Sequence, residues 1–181
     1  MNDTKTEILR IANELIRSIG YNSFSYANIS QPLNIKNAAV HYYFPAKADL
    51  GVAVIRENID GFKEITESWT TFSYRQQYIN YITMHDYFVK KHWVCIVGSL
   101  SPSFETLPKP MQEELQTLIN LVIAWLTNLL EKGLESGEFS FKESPRTKAC
   151  VIHAALLSSL LMNKVLNNDA YKTIQNGLLT L

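Results

Sequence analysis

The chain has 181 residues, 46% of them hydrophobic and 19% charged, and its 17 lysines and arginines balance 17 aspartates and glutamates. That is the profile of an ordinary soluble globular protein with one large or two small domains and room for a sizeable core. Charge balance excludes a global basic field, so any nucleic-acid surface has to be a local patch.

Cys95 and Cys150 lie far apart without metal-ligand spacing, and the N-terminus carries no secretory pattern, so the expected compartment is a reducing cytoplasm. The apolar run Leu118 to Leu130 is broken by Asn and Thr and is shorter than a bilayer span, so no membrane partner is expected. Nearly every segment has helical periodicity. In "TKTEILRIANELIRSIG", Ile8, Ile11, Ala12, Leu15, Ile16 and Ile19 recur at three- and four-residue steps, and Gly20 suits the left-handed end of helix one. Ser25 is a candidate cap for a short second helix through Ile29, with Pro32 ending it near Gln31. Asn34 tolerates a left-handed turn, and a third helix spans about Asn37 to Phe44 before Pro45. A long helix follows from Ala46 through "KADLGVAVIRENIDGFKEITESW". Further helices are expected at Tyr74 to Lys91, Met111 to Ser136, Pro145 to Leu166 and Ala170 to the end, with a loop or short helix across "GSLSPSFETLPKP".

Three short helices with a tight turn between the second and third predict a helix-turn-helix, whose last helix enters the DNA major groove. Ala38 and Ala39 are small enough to let that helix approach a DNA backbone. Val40 and Phe44, four apart, face the core, which leaves Lys36, Asn37, His41 and Tyr42 projecting outward.

The run "GYNSFSYANISQPLNIKNAAVHYYFPAKADL", above all "VHYYFPAK" at Val40 to Lys47, resembles the DNA-binding domain of the TetR family of transcriptional repressors. The match covers about Thr6 to Ile55. The resemblance implies an all-α protein: a helix-turn-helix domain at 1–50, joined by a long helix to an effector-binding and dimerisation domain at 51–181. It places Lys36, Asn37, Ala38 and Ala39 at the base- and phosphate-facing start of the recognition helix. It also makes His41 and Tyr42 a phosphate- or base-contacting pair, Lys47 a backbone grip and Ser25 the helix-two cap. Three positions depart from the family pattern, one of them Pro32 inside the expected helix two. Lys36 stands where a Ser or Thr cap is usual, so Asn37 is expected to cap instead and start the helix one residue late. Asn34 replaces the usual turn glycine. Residues 1–50 hold five Lys/Arg against four Asp/Glu, so strong binding needs two copies acting together.

The resemblance further implies a homodimer built from C-terminal helices. "TKACVIHAALLSSLLMNKVL" fits with a face of Val151, Ala154, Ala155, Leu157, Ser158, Leu161 and Met162. It also implies a pocket for a small effector, hydrophobic or aromatic, among the aromatic residues of the middle helices, with Phe62, Trp69, Tyr78, Phe88, Trp93, Phe104 and Trp125 as candidate lining. "CIVGSLSPSFETLP" looks like a segment common in the family, and Cys95 within it reads as a structural thiol, with a sensor role as the alternative. The expected function is a ligand-responsive repressor that binds a palindromic double-stranded operator and is released by its effector. The alternative is a helical ligand-binding or adaptor protein without sequence-specific DNA binding. No catalytic constellation, cofactor motif or metal-ligand spacing stands out, so no enzyme is expected.

Overall fold

The computed structural model describes residues 4–166 and 169–180. Among them the regular elements are all helical: α1 Thr4–Ile19, α2 Ala27–Ser30, α3 Asn37–Tyr43, α4 Lys47–Ser68, α5 Tyr74–Thr83, α6 Asp86–Lys90, α7 Ile96–Leu100, α8 Lys109–Glu135, α9 Pro145–Leu166 and α10 Ala170–Leu178. Leu181, the last residue of the expected final helix, lies outside the described residues. Two compact units divide the chain, residues 1–60 with 96–118 and residues 61–95 with 119–181, and α4 and α8 each contribute to both. Leu50, the last residue of the expected DNA-binding domain, lies within α4.

In the first unit, α1 buries Ile8, Ile11, Ala12 and Ile16 along one stripe. It stops at Gly20, whose φ of 91° is open to glycine and strained for other residues. Arg17 is buried as well. Its Nε donates to Asn13 Oδ1 at 2.9 Å and its guanidinium also reaches Asn58 Oδ1, which ties α1 to α4. Met111 of α8 lies against Gly51 of α4 so closely that a Cβ at residue 51 would stand 2.5 Å from its sulfur. The ion pair of Arg56 with Glu114 bridges the same two helices at 2.6 Å.

The helix-turn-helix turn follows from backbone chemistry. Asn34 takes φ 52°, its N–H donates to the Gln31 carbonyl at 3.0 Å, and the Ile35 N–H donates back to Ser30 at 3.1 Å. This is the paired closure that a left-handed residue gives a helix end. Asparagine serves here because it enters that region more readily than other non-glycine residues. Pro32, which lacks a donor, falls past the last α2 residue, and α2 is a single turn.

In the second unit, the helix expected from Tyr74 to Lys91 is two helices. The ring Nδ1 of His85 lies 3.0 Å from the Tyr81 carbonyl, the acceptor that a continuous helix offers to the residue-85 amide. Ser73 caps α5 by accepting from the Gln76 N–H at 3.1 Å. Glu138 accepts from the Arg75 N–H at 2.9 Å, and these bonds hold its carboxyl below the usual carboxylate range. α9 packs on α10 and α6. It is 22 residues long with a mean hydropathy of 1.6 over its most apolar 18-residue window, so by length and composition it reaches the threshold for crossing a membrane. The sequence reading weighed the interrupted run in α8 and passed over this helix, whose apolar residues are spread around both of its faces.

Candidate functional site

α3 begins where Lys36, in extended conformation at φ −78° and ψ 149°, serves as its N-cap without any side-chain hydrogen bond. This corrects two expectations. The helix does not start late, and Asn37 is not its cap. The Asn37 carboxamide oxygen instead accepts from the Ser30 hydroxyl of α2, which pins the two helices of the motif together. Val40 is fully buried and Phe44 nearly so, fixing α3 to its unit, while Lys36, Asn37, Ala38, His41 and Tyr42 are exposed and Ala39 is half-buried. The outward face expected from helical spacing is therefore present. Tyr42, with 81% of its surface exposed, is its most prominent side chain.

Ser25 also departs from expectation. The first turn of α2 has Tyr26 at its cap position with no side-chain bond. Capping runs in the other direction: Asn28 Oδ1 accepts from the Ser25 N–H at 2.8 Å and from its hydroxyl at 3.2 Å. Tyr26 is the residue that the sequence reading missed. Its hydroxyl donates to the Phe44 carbonyl at 2.7 Å, and its ring meets His41 edge-on at 4.5 Å. The His41 Nδ1 lies 3.3 Å from the Pro45 carbonyl. A carbonyl only accepts, so Nδ1 carries the proton and Nε2 is left facing outward.

Lys47, the first residue of α4, turns toward its own unit. Its ammonium donates to the Phe24 carbonyl and sits 4.2 Å from the centre of the Phe24 ring and 4.7 Å from that of Tyr21. Partial burial lowers its pKa. Lys47 thus braces the loop before α2, while its remaining N–H groups line a shallow groove of about 360 Å³ together with Phe24, Ser25, Tyr26, Ala27, Asn37 and His41. In the groove the Lys47 ammonium and the Asn37 amide can donate to a phosphate oxygen, whereas the Ser25 hydroxyl proton is committed to Asn28 and His41 Nε2 donates only when the ring is charged.

No protein-family model matches the chain. The Escherichia coli K12 protein described as HTH-type transcriptional repressor NemR is 22% identical over 187 residues, spanning 98% of this chain and 91% of that protein. A TetR transcriptional regulator from Legionella pneumophila is 27% identical with a TM-score of 0.88, over 98% of this chain and 96% of that one. A TetR-family regulator from Agrobacterium tumefaciens is 26% identical with a TM-score of 0.91 over the same shares. Over nearly its whole length the chain is similar to TetR-family transcriptional regulators. The likeness runs through both units, the helix-turn-helix included.

In the second unit, Trp125 is a hub. Its ring lies 5.7 Å from Phe62, 6.0 Å from Trp69 and 5.4 Å from Tyr81, so three of the expected effector residues are brought together. Phe88 joins through His85 at 5.8 Å, and Trp93 contacts Tyr87 at 5.8 Å. Tyr78 is committed elsewhere: its ring packs on Phe139 and its hydroxyl donates to the Leu178 carbonyl at 2.8 Å. Phe104 belongs to the first unit. Sequence reading missed the polar members of this region, Tyr81, His85 and His153, because residues spread over 72 positions give no local pattern.

The pairing face expected from the sequence falls on α9. Ile152, His153, Leu156, Ser159 and Leu160 are buried within the unit, while Val151, Ala154, Ser158, Leu161 and Met162 are exposed and Ala155 and Leu157 are half-buried. Val165 and Leu166 extend the exposed strip toward the C-terminal end of the helix.

Proposed function

We propose that the regulator works as a homodimeric repressor in the cytoplasm, that α3 of each copy enters the major groove of a near-palindromic operator, and that a hydrophobic effector in the second unit releases it. The observation that carries this reading is the groove beside α3. There His41, Asn37, Ser25 and Lys47 face one space, with the exposed Ala38 and the half-buried Ala39 adding little bulk where the helix would approach DNA. In this reading Tyr42 and the donors of the groove bind phosphates, Lys36 and Asn37 face base edges, and the exposed strip of α9 meets its symmetry mate. One copy brings few cations, so affinity depends on two copies acting together. Selection of bound fragments from genomic DNA, followed by anisotropy titration at several salt concentrations, tests it. The expected product is a two-fold site whose halves lie about one helical turn apart and whose affinity falls steeply with salt. Recovery of no sequence-selective site at dimer-saturating concentration would remove the repressor reading and leave the helical adaptor in its place.

A further inference from the structure

Deep in the second unit, Tyr81 of α5, His85 at the α5–α6 junction and His153 of α9 form a polar cluster against the aromatic wall of Trp125, Phe62 and Trp69. We propose that this cluster is the recognition end of a ligand site, in which His153 Nε2–H donates to the carbonyl oxygen of a neutral aromatic ligand. The proposal rests on, and deepens, the reading of this unit as the effector-binding one.

Proton placement supports it. The Tyr81 hydroxyl lies 2.8 Å from His153 Nδ1. Full burial raises the Tyr81 pKa far above its ordinary value, so the phenol keeps its proton and is the donor. His153 Nδ1 is then the acceptor, and the imidazole proton sits on Nε2. His153 is only 8% exposed, and Nε2 is buried without any hydrogen-bond partner. Buried donors in folded proteins are nearly always matched, so this nitrogen, the one such side-chain atom among the described residues, suits an acceptor that a ligand would bring. The opposite tautomer is worse, since it strands the Tyr81 hydroxyl proton as well as Nε2. His85 donates its Nδ1–H to the Tyr81 carbonyl, which leaves its Nε2 an acceptor, but no hydrogen bond joins it to His153 Nε2.

The same atoms limit the ligand. Burial lowers the pKa of both histidines, so the site offers a neutral N–H dipole rather than a cation. A carboxylate would be stripped of water with no countercharge, whereas a carbonyl exchanges one neutral hydrogen bond for another. With a proton on Nε2, His153 is a donor and not a metal ligand, and no group of three potential metal-binding side chains occurs among the described residues. The Trp125 ring beside Tyr81 suits a flat apolar body.

Acetophenone and ethylbenzene, which share shape but differ in the carbonyl, are the probes. Both are titrated into the full-length protein by tryptophan fluorescence, with the His153 imidazole N–H followed by NMR. Wild type is expected to bind acetophenone about tenfold more tightly than ethylbenzene, with the Nε2–H resonance moving downfield. His153→Phe should bind the two alike, and His153→Gln, which keeps a donor, should retain part of the preference. If His153→Phe fails to fold, the wild-type resonance and the glutamine variant decide. Equal or absent binding of both probes by wild type, or an unchanged preference in His153→Phe, overturns the proposal. A His153-dependent preference without any change in DNA affinity would leave the site standing and remove only its effector role.

Discussion

Leu161→Glu tests the dimer at its most direct point. On the exposed side of α9, Val151 is 57%, Leu161 39%, Met162 41%, Val165 82% and Leu166 54% exposed. Together they leave the equivalent of roughly two to three whole apolar side chains in water, and burial stabilises each by ~1.5–3 kcal/mol, or roughly 4–8 kcal/mol per copy. Two copies supply about twice that, against an association cost of roughly 4–15 kcal/mol for lost freedom and side-chain ordering. The balance is favourable but narrow, and the exposed Ala154 and Ser158 are what let the two helices close on each other. In the proposed dimer a glutamate at 161 removes apolar contact and adds a desolvated charge, which together exceed the margin. Sedimentation velocity at tens of micromolar should show dimeric wild type and monomeric Leu161→Glu with an unchanged helical circular dichroism spectrum. A monomeric wild type, or a variant that remains fully dimeric, would refute the assignment of this face.

Four further outcomes follow from single residues. Tyr42→Ala should weaken operator binding and leave the melting temperature unchanged, because the side chain is almost wholly exposed; a variant binding DNA like wild type removes Tyr42 from the interface. Lys47→Met should flatten the salt dependence by about one phosphate contact and also lower thermal stability by ~1 kcal/mol through loss of the cation over Phe24 and Tyr21. A stability change with an unaltered salt slope would make Lys47 a brace alone. His85, held neutral by burial with its pKa lowered to about 4, binds its proton far more readily in the unfolded chain. Its contribution to stability is complete above about pH 6.5 and is lost as pH falls toward 4, by about 3 kcal/mol. Denaturant melts between pH 7 and 4 should show that loss, and His85→Phe should reduce it. Gly133→Ala should destabilise the second unit by ~1–3 kcal/mol, since its Cβ would stand 2.0 Å from the buried Phe139 ring; an unchanged melting curve would show that the ring yields without strain.

How far the sequence reached depends on the range of the interactions involved. The start of α9 at Pro145, the end of α1 at Gly20 and the left-handed turn at Asn34 were legible because capping and turn preferences act within a few residues. The outward face of α3 was legible because helical spacing alone separates Val40 and Phe44 from His41 and Tyr42. At Lys36 the same reasoning misled: a missing side-chain cap does not move a helix start when the backbone already has the extended geometry of a cap.

What only tertiary structure decided is where the polar groups point. Lys47 turns inward because two rings and a carbonyl more than twenty positions earlier offer its ammonium a better neighbourhood than water does. Asn37 is held by Ser30 across the motif's turn. Tyr81 and His153, 72 residues apart, meet because α5 and α9 belong to the same packed unit, and that meeting leaves one nitrogen unmatched. Hydrophobic periodicity names a helix and its buried side from neighbours along the chain. The partner of a side-chain proton is set by whichever atoms packing brings within about 3 Å, and no local pattern encodes that.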